Sequence, residues 1–290
     1  MKKLRKYIKY LEDRIKADKK TFIIYSILRT LVILCAVRQL VMHHYESFFT
    51  CIMALGLFLI PSFLEDHFKI EIPTLFQMAI YVFIFSTSIL GEVDAFYTKI
   101  PAWDSILHTI NGFLAAAVGF SLVDLLNRHS DRVNLSPFYL AVTAFCFSMT
   151  IGVLWEFFEC SCDLFLGTDM QKDFIIQTIH SVTLDPTASQ KVITVKNITD
   201  TLIHTADGQS VTIQGGYLDI GLLDTMKDLF VNFIGAVVFS VIGYFYVSGR
   251  EKAGRARKIA KSLIIRKMNE ENEVFEEDVT ENKEEEKNPA

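Results

Sequence analysis

Residues 104–126 read DSILHTINGFLAAAVGFSLVDLL. As one helix this stretch is about 35 Å long, enough to cross a hydrocarbon core of ~30 Å. Its first turns carry Asp104, His108 and Asn111, at i, i+4 and i+7, so the three share one helix face. An ionisable group at membrane depth is costly and turns away from lipid toward a partner or a polar cavity. By default it marks a functional site.

The rest of the chain repeats this pattern. The 290 residues are 51% hydrophobic and include 24 Phe. The apolar residues gather in runs of membrane length, at 22–42, 48–64, 74–91, 104–126, 138–163 and 224–247. The expectation is an all-α integral membrane protein with six transmembrane helices. The second run is short and carries Pro61, which a packed membrane helix tolerates. A signal peptide is not expected, because a long charged segment precedes the first run and no small-residue cleavage site follows it.

Net charge is -5, but its distribution says more. Residues 1–20 hold nine Lys/Arg against three acids, and residues 250–267 hold eight against one. Arg128 and Arg132 lie between the fourth and fifth runs, loop 43–47 has no Lys/Arg, and loop 92–103 has only Lys99. The positive-inside rule then places both termini in the cytoplasm of a bacterial cell, in agreement with an even number of spans. Four regions are expected: a basic amphipathic segment 1–21, a membrane domain 22–248 with an extracytoplasmic insert at 168–222, a basic tail 249–268 and an acidic tail 269–290. Leu4, Ile8, Leu11 and Ile15 form the apolar stripe of the first segment, which is suited to the inner leaflet. The bilayer is the expected partner. Anionic lipid would gather at the basic N-terminal and 250–267 segments, and no nucleic acid is expected. Ten acids and two Lys in 269–290 cannot bury a core.

Within the insert, Val192–Val195, Thr201–Thr205 and Ser210–Gln214 are β-prone, and Ala206-Asp-Gly-Gln209 is a turn. A small β-hairpin of up to three strands is expected, ended by Gly215 and Gly216. His180 and His204 read as surface or packing residues. Cys35, Cys51 and Cys146 read as small apolar packers, and Cys160 and Cys162 point to different sides of a helix. Arg29 and Arg38 in the first span would snorkel or pair with acids near its boundaries. No phosphate-binding Gly loop, Ser-x-x-Lys or Gly-x-Ser-x-Gly occurs.

With this topology the polar residues fall in register. Asp104, His108 and Asn111 descend from the outer mouth of the fourth span. Asp163, Glu159 and Glu156 descend along the fifth, and Asp224, Asp228 and Asn232 along the sixth. The helical rise puts each set at roughly 0, 6 and 10–12 Å below the outer boundary. Glu92 and Asp94 end the third span at the same level. Three matching registers imply one pocket that opens outward, lined by Asp104, His108, Asn111, Glu156, Glu159, Asp224, Asp228 and Asn232. Carboxylates with one imidazole are ligands for Zn, Mn, Mg or Ca, with His108, Glu156, Glu159 and Asp228 as the candidate metal ligands. Asp104, Asn111, Asp224 and Asn232 would then orient them. Without a metal, clustered acids would share a proton, as acid/base chemistry or proton coupling requires. A hydrogen-bond network that only locks three helices fits the same residues. Gly112, Ala116 and Gly119, Gly152, and Gly235, Ala236 and Gly243 would let the spans approach closely.

The pocket fits binding or modification of an envelope lipid, a cell-wall precursor or a cation at the outer leaflet. A membrane-embedded metal-dependent hydrolase and an ion-coupled transporter are the alternatives. No inverted repeat of the kind many transporters show is present. Neither an enzymatic activity nor a catalytic residue follows from the sequence.

Asp104-Ser-Ile-Leu-His108 with Gly112, Gly152-Val-Leu-Trp-Glu156-Phe-Phe-Glu159, and Asp228-Leu-Phe-Val-Asn232-Phe-Ile-Gly235 resemble the YjdF-like family of uncharacterised bacterial membrane proteins over most of 20–247. They are distantly similar to VanZ-like proteins over about 100–245, where D-x-x-x-H, G-x-x-x-E and D-x-x-x-N-x-x-G occur in that order. The VanZ-like resemblance implies a cell-envelope role and no particular mechanism. This chain departs from it in the 168–222 insert and in Glu159, where VanZ-like proteins often carry Gln.

Overall fold

A computed structural model of the protein describes residues 19–128, 134–249 and 254–267. Six helical spans are long and apolar enough to cross a membrane: Thr21–Val41, Tyr45–Phe68, Thr74–Val93, Trp103–Arg128, Pro137–Leu166 and Leu222–Val247. They match the six expected runs to within a few residues. Large side chains such as Leu34, Phe63, Phe157 and Phe230 are exposed along them. Water would penalise such a surface, and lipid does not. The chain forms two compact units, residues 1–150 with 231–290 and residues 151–230. The fifth and sixth spans each continue as unbroken helix across this division.

In the first unit, the first two spans turn back on each other at His43, whose φ of 59° is left-handed. The second span is two helices, Tyr45–Leu57 and Ile60–Phe68. Pro61 sits in the first turn of the second helix, where a missing N–H costs nothing. The third span begins as an α-helix, Thr74–Phe85, and widens to a π-helix over Ser86–Val93. The widening is visible in the Asp94 N–H, which donates to the Ile89 carbonyl at 2.9 Å. No sequence signal marked this stretch. Val32, Ala36, Cys51, Ala54, Phe58, Tyr81 and Ile89 form a core among these spans. The Tyr25, Phe58 and Tyr81 rings meet there at 5.0 to 6.1 Å. Both arginines of the first span have partners: Arg29 donates to the Tyr25 hydroxyl at 3.2 Å, and Arg38 lies 3.6 Å from Asp94. Cys146 is exposed rather than packed, because it lies on the outward face of the fifth span.

A second core joins the fourth, fifth and sixth spans through Ala116, Phe120, Leu140, Ala144, Ala236 and Phe239. The backbones of the fourth and sixth spans approach closely. A Cβ on Gly112 would lie 2.1 Å from the Asn232 carbonyl oxygen, and one on Gly235 would lie 2.0 Å from that of Thr109. Two glycines, one on each helix, thus make a reciprocal contact that no other residue permits. The Ser148 hydroxyl adds the fifth span by donating to the Gly112 carbonyl at 2.7 Å.

The basic segment after the sixth span is more than a solvated tail. Gly254–Lys261 is a helix, and Ala260, Leu263, Ile264 and Ile265 are buried in the second core. The Ile265 N–H donates to the Ser121 hydroxyl at 3.0 Å. Arg266–Lys267 (β8) then pairs antiparallel with Ile70–Glu71 (β1). The run Leu263-Ile-Ile265 carried the signal, which the surrounding charge hid. The amphipathic segment 1–18, Arg132 and the acidic tail 269–290 lie outside the described residues.

The second unit contains the insert. The expected hairpin is present, with Asp200–His204 (β5) paired to Ser210–Gln214 (β6) around the Ala206–Gln209 turn. The other β-prone run differs from expectation. Ile193–Lys196 (β4) pairs with Thr178–Ser181 (β3) rather than joining the hairpin. Gly215 and Gly216, at φ of 89° and 157°, do end β6. The chain then forms Tyr217–Leu218 (β7), which pairs with Ile175–Ile176 (β2) before the sixth span. His180 and His204 make cross-strand contacts at 2.9 Å with Thr194 and Ser210, as surface histidines do.

Three carboxylates hold residues 168–174 as a strap. Asp163 accepts from the Met170 and Gln171 N–H groups at 2.7 and 2.8 Å. Asp224 accepts from the Lys172 N–H at 2.9 Å, and Asp219 from that of Phe174 at 2.7 Å. Asp219 also accepts from the Leu223 N–H in the first turn of the sixth span, a capping role. Burial pushes the Asp219 carboxyl up, but its bonds from the Phe174, Leu223 and Gly221 N–H groups outweigh this and hold it below the usual carboxylate range.

Candidate functional site

The eight residues expected to line a pocket divide between the two units. In the first unit, Asp104 and His108 lie one turn apart on the fourth span, with Oδ1 3.4 Å from Nε2. The His108 side chain is mostly buried and Asp104 is more open, so the pair runs from the helix mouth inward. One turn deeper, the Asn111 amide donates to the Asn232 Oδ1 at 3.3 Å. Asn232 is fully buried, and its own Nδ2 faces the Ser148 carbonyl at 3.5 Å and the Met149 sulfur at 3.7 Å. These amides sit directly beside the Gly112 contact, where the close backbones bring them within reach. The Asn111–Asn232 bond joins the fourth span to the sixth.

In the second unit, Glu156 and Glu159 are buried on the fifth span, at 4% and 8% exposure. Trp155 sits one turn before Glu159 and donates its indole N–H to Oε1 at 2.8 Å. The half-exposed indole leaves its apolar face outward and its polar edge on the carboxylate. On the sixth span, Asp224 and Asp228 are buried at 4% and 1% exposure. Lys227 lies between them, its ammonium 2.6 Å from Asp224 Oδ1 and 3.6 Å from Asp228 Oδ1. It also stands 5.6 Å over the Phe174 ring of the strap.

Lys227 is the residue that sequence reasoning missed here. Its signal was the Asp224-x-x-Lys227 spacing, which puts acid and base on one face. Asp224 contacts both the strap and Lys227, and Asp163 contacts the strap. A second buried polar group was also missed, at the opposite end of the first unit. There Asp124 pairs with Arg128 at 3.0 Å, and Arg128 donates to the Tyr246 hydroxyl at 3.1 Å. In the same unit Glu65 accepts from the Ile72 N–H at 3.0 Å. These contacts tie helix ends together.

His108 in the first unit, and Glu156, Glu159 and Asp228 in the second, are buried side chains.

A family model described as "Predicted membrane protein (DUF2238)" matches residues 23–249, which takes in the insert and all of the six spans but the first two residues. An uncharacterized protein of Thermotoga maritima is 30% identical over 96 residues, 33% of this chain and 48% of that protein. The chain thus matches about half the length of that relative. No solved structure matches. With six membrane-length helices and a match across all of them, the chain belongs to the DUF2238 family of membrane proteins.

Proposed function

We propose that the buried His108, Glu156, Glu159 and Asp228 serve in binding a divalent cation. Through that cation the protein would bind the polar group of an envelope lipid or cell-wall precursor. The protein would sit in the bacterial cytoplasmic membrane with both termini in the cytoplasm, on the charge distribution described above. The observation that carries the reading is burial: Asp228, Glu156, Glu159 and His108 are at most 8% exposed, within membrane-length helices. Adding Asp104, Asp163 and Asp224 gives six carboxylates in the register, against Lys227 and one imidazole. Acids in such excess at membrane depth need further positive charge, and a divalent cation supplies it. An imidazole with carboxylates is a donor set of the type that holds a metal ion. The cation would neutralise the acids and offer open coordination positions to an oxygen of the ligand.

Thermal melting of the purified chain in detergent tests this reading. Zn, Mn, Mg and Ca are each added to chelator-treated protein. One of them is expected to stabilise the wild type by about 2.7 kcal/mol when present at a hundred times its Kd. Glu156→Gln, which keeps the shape and removes one charge, is expected to lose most of that shift while melting normally without metal. Equal shifts in both proteins would contradict the proposal.

A further inference from the structure

Cys35 and Cys51 stand eight residues before and eight residues after His43, where the first two spans turn back on each other. An antiparallel helix pair brings residues equidistant from its turn to the same depth, here about 12 Å along each helix. Both cysteines belong to the core between these spans, with Val32, Ala36 and Ala54 beside them. Both are free, and their thiols share a hydrogen bond.

Ala36 and Ala54 already supply the small side chains that close approach of these helices needs. A thiol on each side of one contact adds a chemistry that packing does not call for. Sulfurs in hydrogen-bond contact are close to the ~2.05 Å at which a disulfide forms. Helices that meet through alanines allow the Cα spacing of roughly 4.4–6.8 Å that it needs. The two thiols differ in access, because Cys35 is half-buried and Cys51 is fully buried. On the topology proposed above, His43 faces the extracytoplasmic side, where disulfides persist.

We infer that Cys35 and Cys51 are a redox modification site, at which hydrogen peroxide, a small neutral oxidant, closes a disulfide between the first two spans. Oxygen transfer from the peroxide to the Cys35 sulfur gives a sulfenic acid and releases one water. The Cys51 sulfur then attacks the Cys35 sulfur and forms the S–S bond. The hydroxide displaced from Cys35 takes the Cys51 proton and leaves as a second water. Two thiols are oxidised and one peroxide is reduced. Cys35 reacts first because its side chain reaches the surface of the span. The closed loop contains only the turn at His43 and the ends of two helices, so the bond fixes this hairpin against separation. The site does not depend on the cation proposed for the acids.

The test uses the full chain, purified in detergent under reductant and then moved to reductant-free buffer. After hydrogen peroxide treatment it is denatured, alkylated and digested without reduction for peptide mass spectrometry. Free thiol at Cys35 and Cys51 is expected to fall together, with a Cys35–Cys51 linked peptide as the major disulfide, reversed by dithiothreitol. Cys146, Cys160 and Cys162, all on the fifth span, serve as internal controls. The oxidised wild type is expected to melt several degrees above the reduced form. Cys51→Ala keeps a small apolar residue at the buried position. It is expected to show no such gain and to leave Cys35 as a sulfenic acid that dimedone traps. Cys35 and Cys51 that both remain thiols after peroxide would overturn the proposal, whatever happens at the other three cysteines. So would a Cys35 disulfide to any cysteine but Cys51, or a linked form that melts no higher than the reduced one.

Discussion

Gly112→Val is expected to abolish folding of the membrane domain. The added Cβ would meet the Asn232 carbonyl oxygen at 2.1 Å, and that atom is backbone, so no rotamer change relieves the clash. The fourth and sixth spans must separate. Separation also removes the Asn111–Asn232 bond and shifts the carbonyl that Ser148 binds. Overpacking of a core alone costs about 1–3 kcal/mol. Here the loss of two buried polar contacts adds to it, at roughly 1 kcal/mol each. Gly56→Val is the control, because nothing lies within 4 Å of a Cβ at that position. Size-exclusion profiles and melting in detergent are expected to show an aggregated or strongly destabilised Gly112→Val beside a normal Gly56→Val. A Gly112→Val protein that melts like wild type would refute the close helix contact.

Asp163→Ala is expected to release the 168–174 strap while leaving the spans folded. Asp163 takes the Met170 and Gln171 N–H groups and the Thr168 hydroxyl at 2.7 to 2.8 Å, and alanine offers no replacement. Hydrogen bonds to a charged group contribute about 1.5–3 kcal/mol each when shielded, and partial exposure reduces this. A local loss of about 3 kcal/mol would raise amide exchange at Met170 and Gln171 more than a hundredfold. Hydrogen–deuterium exchange reads this directly. Asp163→Asn retains one acceptor oxygen and is expected to fall between the two. Unchanged exchange at both amides would show that the strap is held by other contacts.

These two residues also show what could be read from the sequence. Gly112 was legible because a small residue at helical spacing from Asp104 and His108 can serve only close approach. The six spans were legible because apolar length in a membrane depends on composition alone. Asp163 was not legible in its role. Its position matched the register of Glu159 and Glu156, but its carboxylate turns to backbone N–H groups of a loop whose path no periodicity encodes. Lys227 was obscured by the two acids that flank it, although its spacing from Asp224 made the ion pair available. The π-helix at Ser86–Val93 and the pairing of β1 with β8 rest on tertiary fit. The docking of Leu263–Ile265 had an apolar signal too short to stand out among eight basic residues. In the candidate site, the burial of His108, Glu156, Glu159 and Asp228 was legible, because acids in a span turn from lipid.

His108, Glu156, Glu159 and Asp228 are proposed to hold a cation. Elemental mass spectrometry of the chain purified in detergent without chelators, beside folded His108→Ala, tests it most directly. Close to one divalent metal per wild-type chain and a large loss in the variant are expected. Metal-free wild type, or equal metal in both proteins, would contradict it.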